Sequence, residues 1–186
     1  MDLQAGSLRG PIAPGNTRRN CSSKKNLHPG RGAGKTIPMS STHLSLHYHV
    51  VFGTKNREPW IAPAWRDRLQ AYLGGIAVEL EIVPEAIGGM GDHVHLLLRL
   101  RATHRLSDVV RDLKRAASEW IHTTIGLAAF AWQDGYGAFT VSASVREEVA
   151  AYIRDQEEHH RRRTFRDEYI TLLRKSAVEF EERYLD

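Results

Sequence analysis

Two histidines one residue apart, His93 and His95, stand in the run Asp92 to Leu100 (DHVHLLLRL). The run alternates, and residues two apart on a strand face the same side, about 7 Å apart along the backbone. Both imidazoles therefore project together, while Val94, Leu96, Leu98 and Leu100 point into a core. Two imidazoles on one rigid strand make two metal ligands, and Arg99 and Arg101 follow on their face, where guanidinium groups could meet phosphate. The plainer alternative is two surface histidines on an open sheet. A second pair, Tyr152 and Gln156, has the i, i+4 spacing that puts both on one helical flank. A tyrosine hydroxyl can serve as a covalent nucleophile. A glutamine carbonyl oxygen is a neutral, hard ligand that leaves Mg²⁺ or Mn²⁺ open positions for a phosphate. Taken alone, this pair also reads as a core-edge tyrosine and a solvated amide.

The surrounding pattern predicts the elements that would position these groups. Thr42 to Phe52 (THLSLHYHVVF) alternates as a half-buried strand. Pro63 opens a helix with Trp65, Leu69, Tyr72, Leu73 and Ile76 at helical spacing. Glu79 to Met90 reads as a strand broken or bulged at Pro84 and ending in a Gly88-Gly89 turn. Leu106 to Ile125 carries a helical apolar stripe, and Tyr136 to Ser142 is a short β-prone run. Ser144 and Glu147 are spaced as a capping box for a helix bearing Val145, Val149 and Ile153. Strand, helix, strand, strand, helix, strand and an extra helix make an α+β chain of the ferredoxin-like (RRM-like) plan. It predicts an antiparallel sheet with helices on one face, the other face free to carry a site, and a C-terminal helix bearing Tyr152.

Composition bounds the class. The chain has 186 residues, 41% hydrophobic and 26% charged, with one cysteine, which suits a single soluble domain with an appendage. Lone Cys21 excludes an internal disulfide framework. No apolar run is long enough to span a bilayer and no secretory signal is visible, so no membrane partner and a cytoplasmic location are expected. The net charge of +4 is unevenly placed. Residues 1–38 hold seven of the 26 Lys/Arg and one of the 22 acids, leaving the rest of the chain with 19 basic and 21 acidic side chains. The overall excess is thus no argument for nucleic-acid binding by the folded body. The first 38 residues, rich in Gly and Pro, are expected to be a disordered basic tail or an over-extended start, with the domain spanning 39–186.

Taken together, GDHVHLLLRL and, some fifty residues later, AYIRDQEEHH resemble the HUH single-tyrosine transposases of the insertion sequence 200/605 family. LSLHYHVVFGTKNREPWI resembles that family's opening strand and basic turn, and WQDGYGAFTVS its segment before the tyrosine helix. The resemblance covers residues 42–186. It implies that His93, His95 and Gln156 hold a divalent metal, Mg²⁺ or Mn²⁺, and that Tyr152 is the nucleophile. It further implies nicking and rejoining of single-stranded DNA, with hairpin ends as partners, through a 5′-phosphotyrosine intermediate. A homodimer is implied as well, in which the tyrosine helix of one subunit can complete the histidine site of the other. Gly91 stands where the family often has proline. Asp92 is retained, as an auxiliary ligand or an orienting partner of the histidines.

Other features compete for attention. His47-Tyr48-His49 is a second His-x-His, read as structural or substrate-contacting. GRGAGKT (residues 30–36) mimics a phosphate-binding loop but has Pro29 where a glycine is required. DGYGAFTV departs from an RNA-recognition strand at Ala138. A histidine-triad hydrolase would need a histidine at Leu97. The basic run Arg161, Arg162 and Arg163, together with Arg99, Arg111, Lys114 and Arg115, supplies candidate DNA-backbone contacts. Two rival readings remain open: a non-catalytic nucleic-acid-binding relative, and a metal phosphodiesterase without covalent chemistry.

Overall fold

A computed structural model describes residues 42–161 and 163–181. The expected tail and the Met39 boundary lie outside the described residues, as does Arg162. Four strands, β1 (His47–Gly53), β2 (Val83–Gly89), β3 (His93–Arg99) and β4 (Gly137–Val141), form one sheet. Their order is β2-β3-β1-β4 and every pairing is antiparallel. This is the ferredoxin-like arrangement expected, an α+β fold. The strand predicted from Thr42 starts only at His47, and Leu44 before it is exposed.

Helices α1 (Pro63–Glu79) and α2 (Leu106–Trp120) cover one face. Proline at the first turn starts α1, since its missing N–H would be unpaired there anyway. Leu69, Leu73, Val110 and Leu113 then pack on Val50, Phe52, Val94, Leu96 and Leu98 in the main core. Burying each such side chain contributes about 1.5–3 kcal/mol. β2 carries the expected irregularity, a register shift between Pro84 and Ala86. The Gly88-Gly89 turn is not found, because both glycines belong to the strand. A Cβ at Gly88 would lie 1.9 Å from the Ile153 carbonyl oxygen, so glycine here admits a helix backbone onto the sheet.

That helix shows the second face to be occupied, not free. α3 (Arg146–Arg154), α4 (Gln156–His160) and α5 (Phe165–Lys175) all pack on it. Ala150 and Ile153 close over Ala86, Leu97 and Val141, while Phe165 and Leu173 close over Val51 and Phe139. The capping box also fails. α3 starts at Arg146 with Val145 as its cap residue, and Ser144 Oγ bonds Ser142 Oγ at 2.8 Å instead. One continuous helix through Tyr152 and Gln156 is likewise broken, by Asp155 with φ −100° and ψ 30°.

Candidate active site

The two strands at the centre of the sheet place the histidines. In the β1–β3 ladder Val51 pairs with His95 and Gly53 with His93. Alternation then sends His93, His95 and Leu97 to the face covered by α3–α5, and His93 and His95 are fully buried. Their rings meet edge to face with centroids 5.0 Å apart. β1 adds His49, a diagonal neighbour of His95, whose Nε2 lies 2.8 Å from His95 Nδ1. Asp92, just before β3, places its carboxylate 2.6 Å from His93 Nδ1.

The helices supply the rest. Gln156, at the start of α4, is buried with Oε1 3.3 Å from His93 Nε2 and Nε2 3.4 Å from the Tyr152 carbonyl, to which it donates. Tyr152, near the end of α3, meets the rings of His95 at 5.9 Å, His49 at 6.1 Å and His159 at 5.0 Å. Tyr152, His93, His95, Gln156 and Asp92, separately picked out from the sequence, thus stand together in one chain. The tyrosine lies beside its own histidines.

Two contributors were not foreseen. Glu168 of α5 is buried, with Oε1 3.6 Å from His95 Nε2 and Oε2 2.9 Å from His160 Nε2, and Gln156 Nε2 donates to its Oε1 at 3.3 Å. Phe165 of the same helix lies against His93 at 4.2 Å, with the Arg57 guanidinium 3.6 Å from its ring centre. A signal for Glu168 was present. It sits three residues after Phe165 and four before Leu172, an acid in line with apolar residues at helical spacing.

Burial governs the protonation of this cluster. It drives His49 down to about 4 and His95 well below the usual histidine range, the latter aided by His49 and His93. Burial, with His93 nearby, takes His160 down to about 4. Burial and the charge of Asp92 push Glu168 up to about 8, against the pull of Arg57. At Asp92 burial acts upward, but the hydrogen bond and charge of His93, with Arg57, prevail and lower it.

His93, His95 and Glu168 could hold a metal ion, their donor atoms lying within 4.8 Å of one another. The donor chemistry fits. His95 Nε2 is buried without a hydrogen-bond partner. The Asp92 carboxylate holds His93 at Nδ1, which turns Nε2 toward the Gln156 carbonyl oxygen. Two imidazole nitrogens converging with an amide and a carboxylate oxygen suit a cation.

The remaining candidates disperse. His47 contacts Glu85 at 3.2 Å, and Arg99 and Arg146 approach the same carboxylate at 4.0 and 3.7 Å. Arg101 pairs with Glu81, beyond the end of β3. Arg111 and Arg115 lie along α2 on Asp108 and Asp112. Lys114 donates to the carbonyls of Gln133 and Gly135 at 2.7 Å, and burial brings it down to about 8. Arg161 pairs with Glu158, and exposed Arg163 lies beside Tyr152 in a shared cavity lining. Among the described residues no helix is long and apolar enough to cross a membrane.

Comparison with known proteins matches this chain over residues 42–156 to the family model for IS200-like transposases. The ISDra2 transposase TnpA of Deinococcus radiodurans is 29% identical over 119 residues, covering 60% of this chain and 84% of that protein. A crystal structure of a candidate transposase from Deinococcus radiodurans, 27% identical, superposes with a TM-score of 0.51 over 70% of this chain and 98% of its own.

Proposed function

The chain belongs to the IS200-like transposases, and on that premise we propose that it cuts and rejoins single-stranded DNA through Tyr152. The observation that supports this reading is the meeting of Tyr152, His93, His95 and Gln156 on one sheet face. Binding alone requires no such geometry.

A divalent ion, Mg²⁺ or Mn²⁺, held by His93, His95 and an oxygen of Gln156 or Glu168, would polarise a scissile phosphate and offset its charge. Asp92 fixes the ring of His93, and His49 that of His95, so that each directs Nε2 inward. Tyr152 Oη attacks phosphorus, forming the Oη–P bond as the P–O3′ bond breaks. His159, kept uncharged by burial and by Arg163, takes the phenolic proton, and the departing O3′ takes one from solvent. The products are a 5′-phosphotyrosine and a free 3′-hydroxyl. A second 3′-hydroxyl can reverse the step on a new end without an external energy source, because the phosphoester is retained.

The partners proposed are single-stranded DNA with hairpin ends and a second copy of this chain. Covalent trapping tests the reaction: labelled single-stranded DNA flanking the gene, Mn²⁺, and a denaturing gel, with Tyr152→Phe beside wild type. A metal-dependent adduct seen only in wild type is expected. Cleavage without an adduct, unchanged in Tyr152→Phe, would instead identify a hydrolytic phosphodiesterase. Binding without cleavage would identify a non-catalytic relative.

A further inference from the structure

Tyr152 stands between two cavities. One, of about 420 Å³, lies among the β4 edge, α3 and α5, with Phe139, Val141, Val149 and Leu172 among its walls. The other, of about 450 Å³, is bounded by Asp155 and Glu158. Tyr152, His159 and Arg163 line both and so form the divide.

We propose that the first cavity receives one unstacked nucleobase of the DNA strand, the base next to the phosphate that Tyr152 attacks. This rests on the reading that Tyr152 attacks a DNA phosphate. A phosphate at the divide brings its neighbouring base within one nucleotide of either cavity. Each cavity carries two carboxylates, Asp155 and Glu158 in one and Glu148 and Glu168 in the other, but the one at Asp155 has no aliphatic wall. The apolar one offers what an extruded base requires: ring faces and aliphatic walls for stacking, in a space at the small end of ligand sites. His49 and Phe139 contribute rings there beside Tyr152, their centroids 6.1 Å apart. Exposed Lys175 lines the same cavity and Arg163 the divide, so cationic groups lie beside the positions of adjoining phosphates. Glu148, also on the lining, is a hydrogen-bond acceptor suited to an exocyclic amino group. The cavity therefore prefers cytosine, adenine or guanine over thymine.

The test uses the full-length protein and fluorescein-labelled single-stranded oligonucleotides from the DNA flanking the gene. Binding is read by anisotropy in EDTA, with covalent trapping in Mn²⁺ as a parallel arm. An abasic site is moved through every position of the oligonucleotide. One position, adjacent to the cleaved phosphate, is expected to weaken binding by about ten-fold in wild type, the scale of a lost stacked base. In Thr171→Trp and in Val149→Phe, which fill the cavity from opposite walls, the same abasic site should cost under about two-fold, because the stacking site is already taken. Thymine there should bind less well than cytosine in wild type, and equally in Glu148→Ala. Equal abasic penalties in the wild-type and filled proteins overturn the subsite, as does the absence of a sensitive position. Binding without an adduct refutes the chemistry of Tyr152, while the abasic scan still reads the cavity. Failure of every oligonucleotide to bind overturns both.

Discussion

Glu168 and His160 face each other at 2.9 Å with opposite displacements, the acid pushed up to about 8 and the base down to about 4. Whichever atom carries it, the pair holds about one proton at neutral pH. An unfolded chain, with a glutamate near 4.5, has lost the acid's proton long before. A carboxyl whose folded value is raised loses its contribution to stability as pH climbs through that value, here over pH 4.5 to 8. Below pH 6.5 the depressed histidines work in the opposite sense, because the unfolded chain then binds protons that the folded one does not. From pH 6.5 to 8.0 the depressed histidines and Lys114 still act in that opposite sense, so the acid is read as a difference from a variant that lacks it, to which the linkage relation assigns a loss of about 1.5 kcal/mol. Glu168→Gln keeps the shape and removes the titration. Urea unfolding in EDTA at pH 6.5 and 8.0 should therefore show wild type losing about 1.5 kcal/mol relative to the variant. A metal ion competes for the same oxygen, so Mn²⁺ binding to wild type at pH 7 should release about one proton by calorimetry in buffers of different ionisation enthalpy, and Glu168→Gln close to none. Parallel stability changes in the two proteins, with equal proton release, would mean that Glu168 is ionised throughout and that the account of burial is wrong.

His49→Leu removes the partner of His95 Nδ1 and should weaken Mn²⁺ binding by about 10–100-fold, with His49→Asn closer to wild type; equal titrations of the three proteins would deny His49 an orienting role. Gly88→Ala drives a methyl group into the Ile153 carbonyl, so thermal unfolding should reveal a loss of at least about 1–3 kcal/mol, together with a weaker Tyr152 adduct. Mixing Tyr152→Phe with His93→Ala tests sharing between subunits. Restored adduct on the His93→Ala chain would establish exchange of the tyrosine helix, whereas silence of the mixture would keep each tyrosine with its own histidines, as they lie in this fold.

The strands were legible because their faces differ. Val94, Leu96 and Leu98 against His93 and His95 is a period of two that survives any packing. His49 could not be connected to His95 in the same way, since that contact depends on the register of β1 against β3, which pairs residues nearly fifty positions apart. Gly88 and Gly89 carry the composition of a turn. What demands glycine at position 88 is the approach of a helix backbone some sixty residues later, invisible to local reading. Ser144 and Glu147 have the right spacing for a cap, but α3 begins after the serine. α5 is harder to read, because Glu168 interrupts its apolar line where that line turns inward to the histidines.

The family match ends at residue 156, before α5 begins, yet α5 brings the carboxylate to the histidines. The charge offered to an ion is thereby separable from the strand that carries the imidazoles. With Gln156 as the oxygen donor the ligand set is neutral, whereas an ionised Glu168 would add a negative charge from a segment beyond the matched residues. Grafting the C-terminal segment of one relative onto another should carry the preference among divalent ions with it, while the nucleophile and both histidines stay where they are.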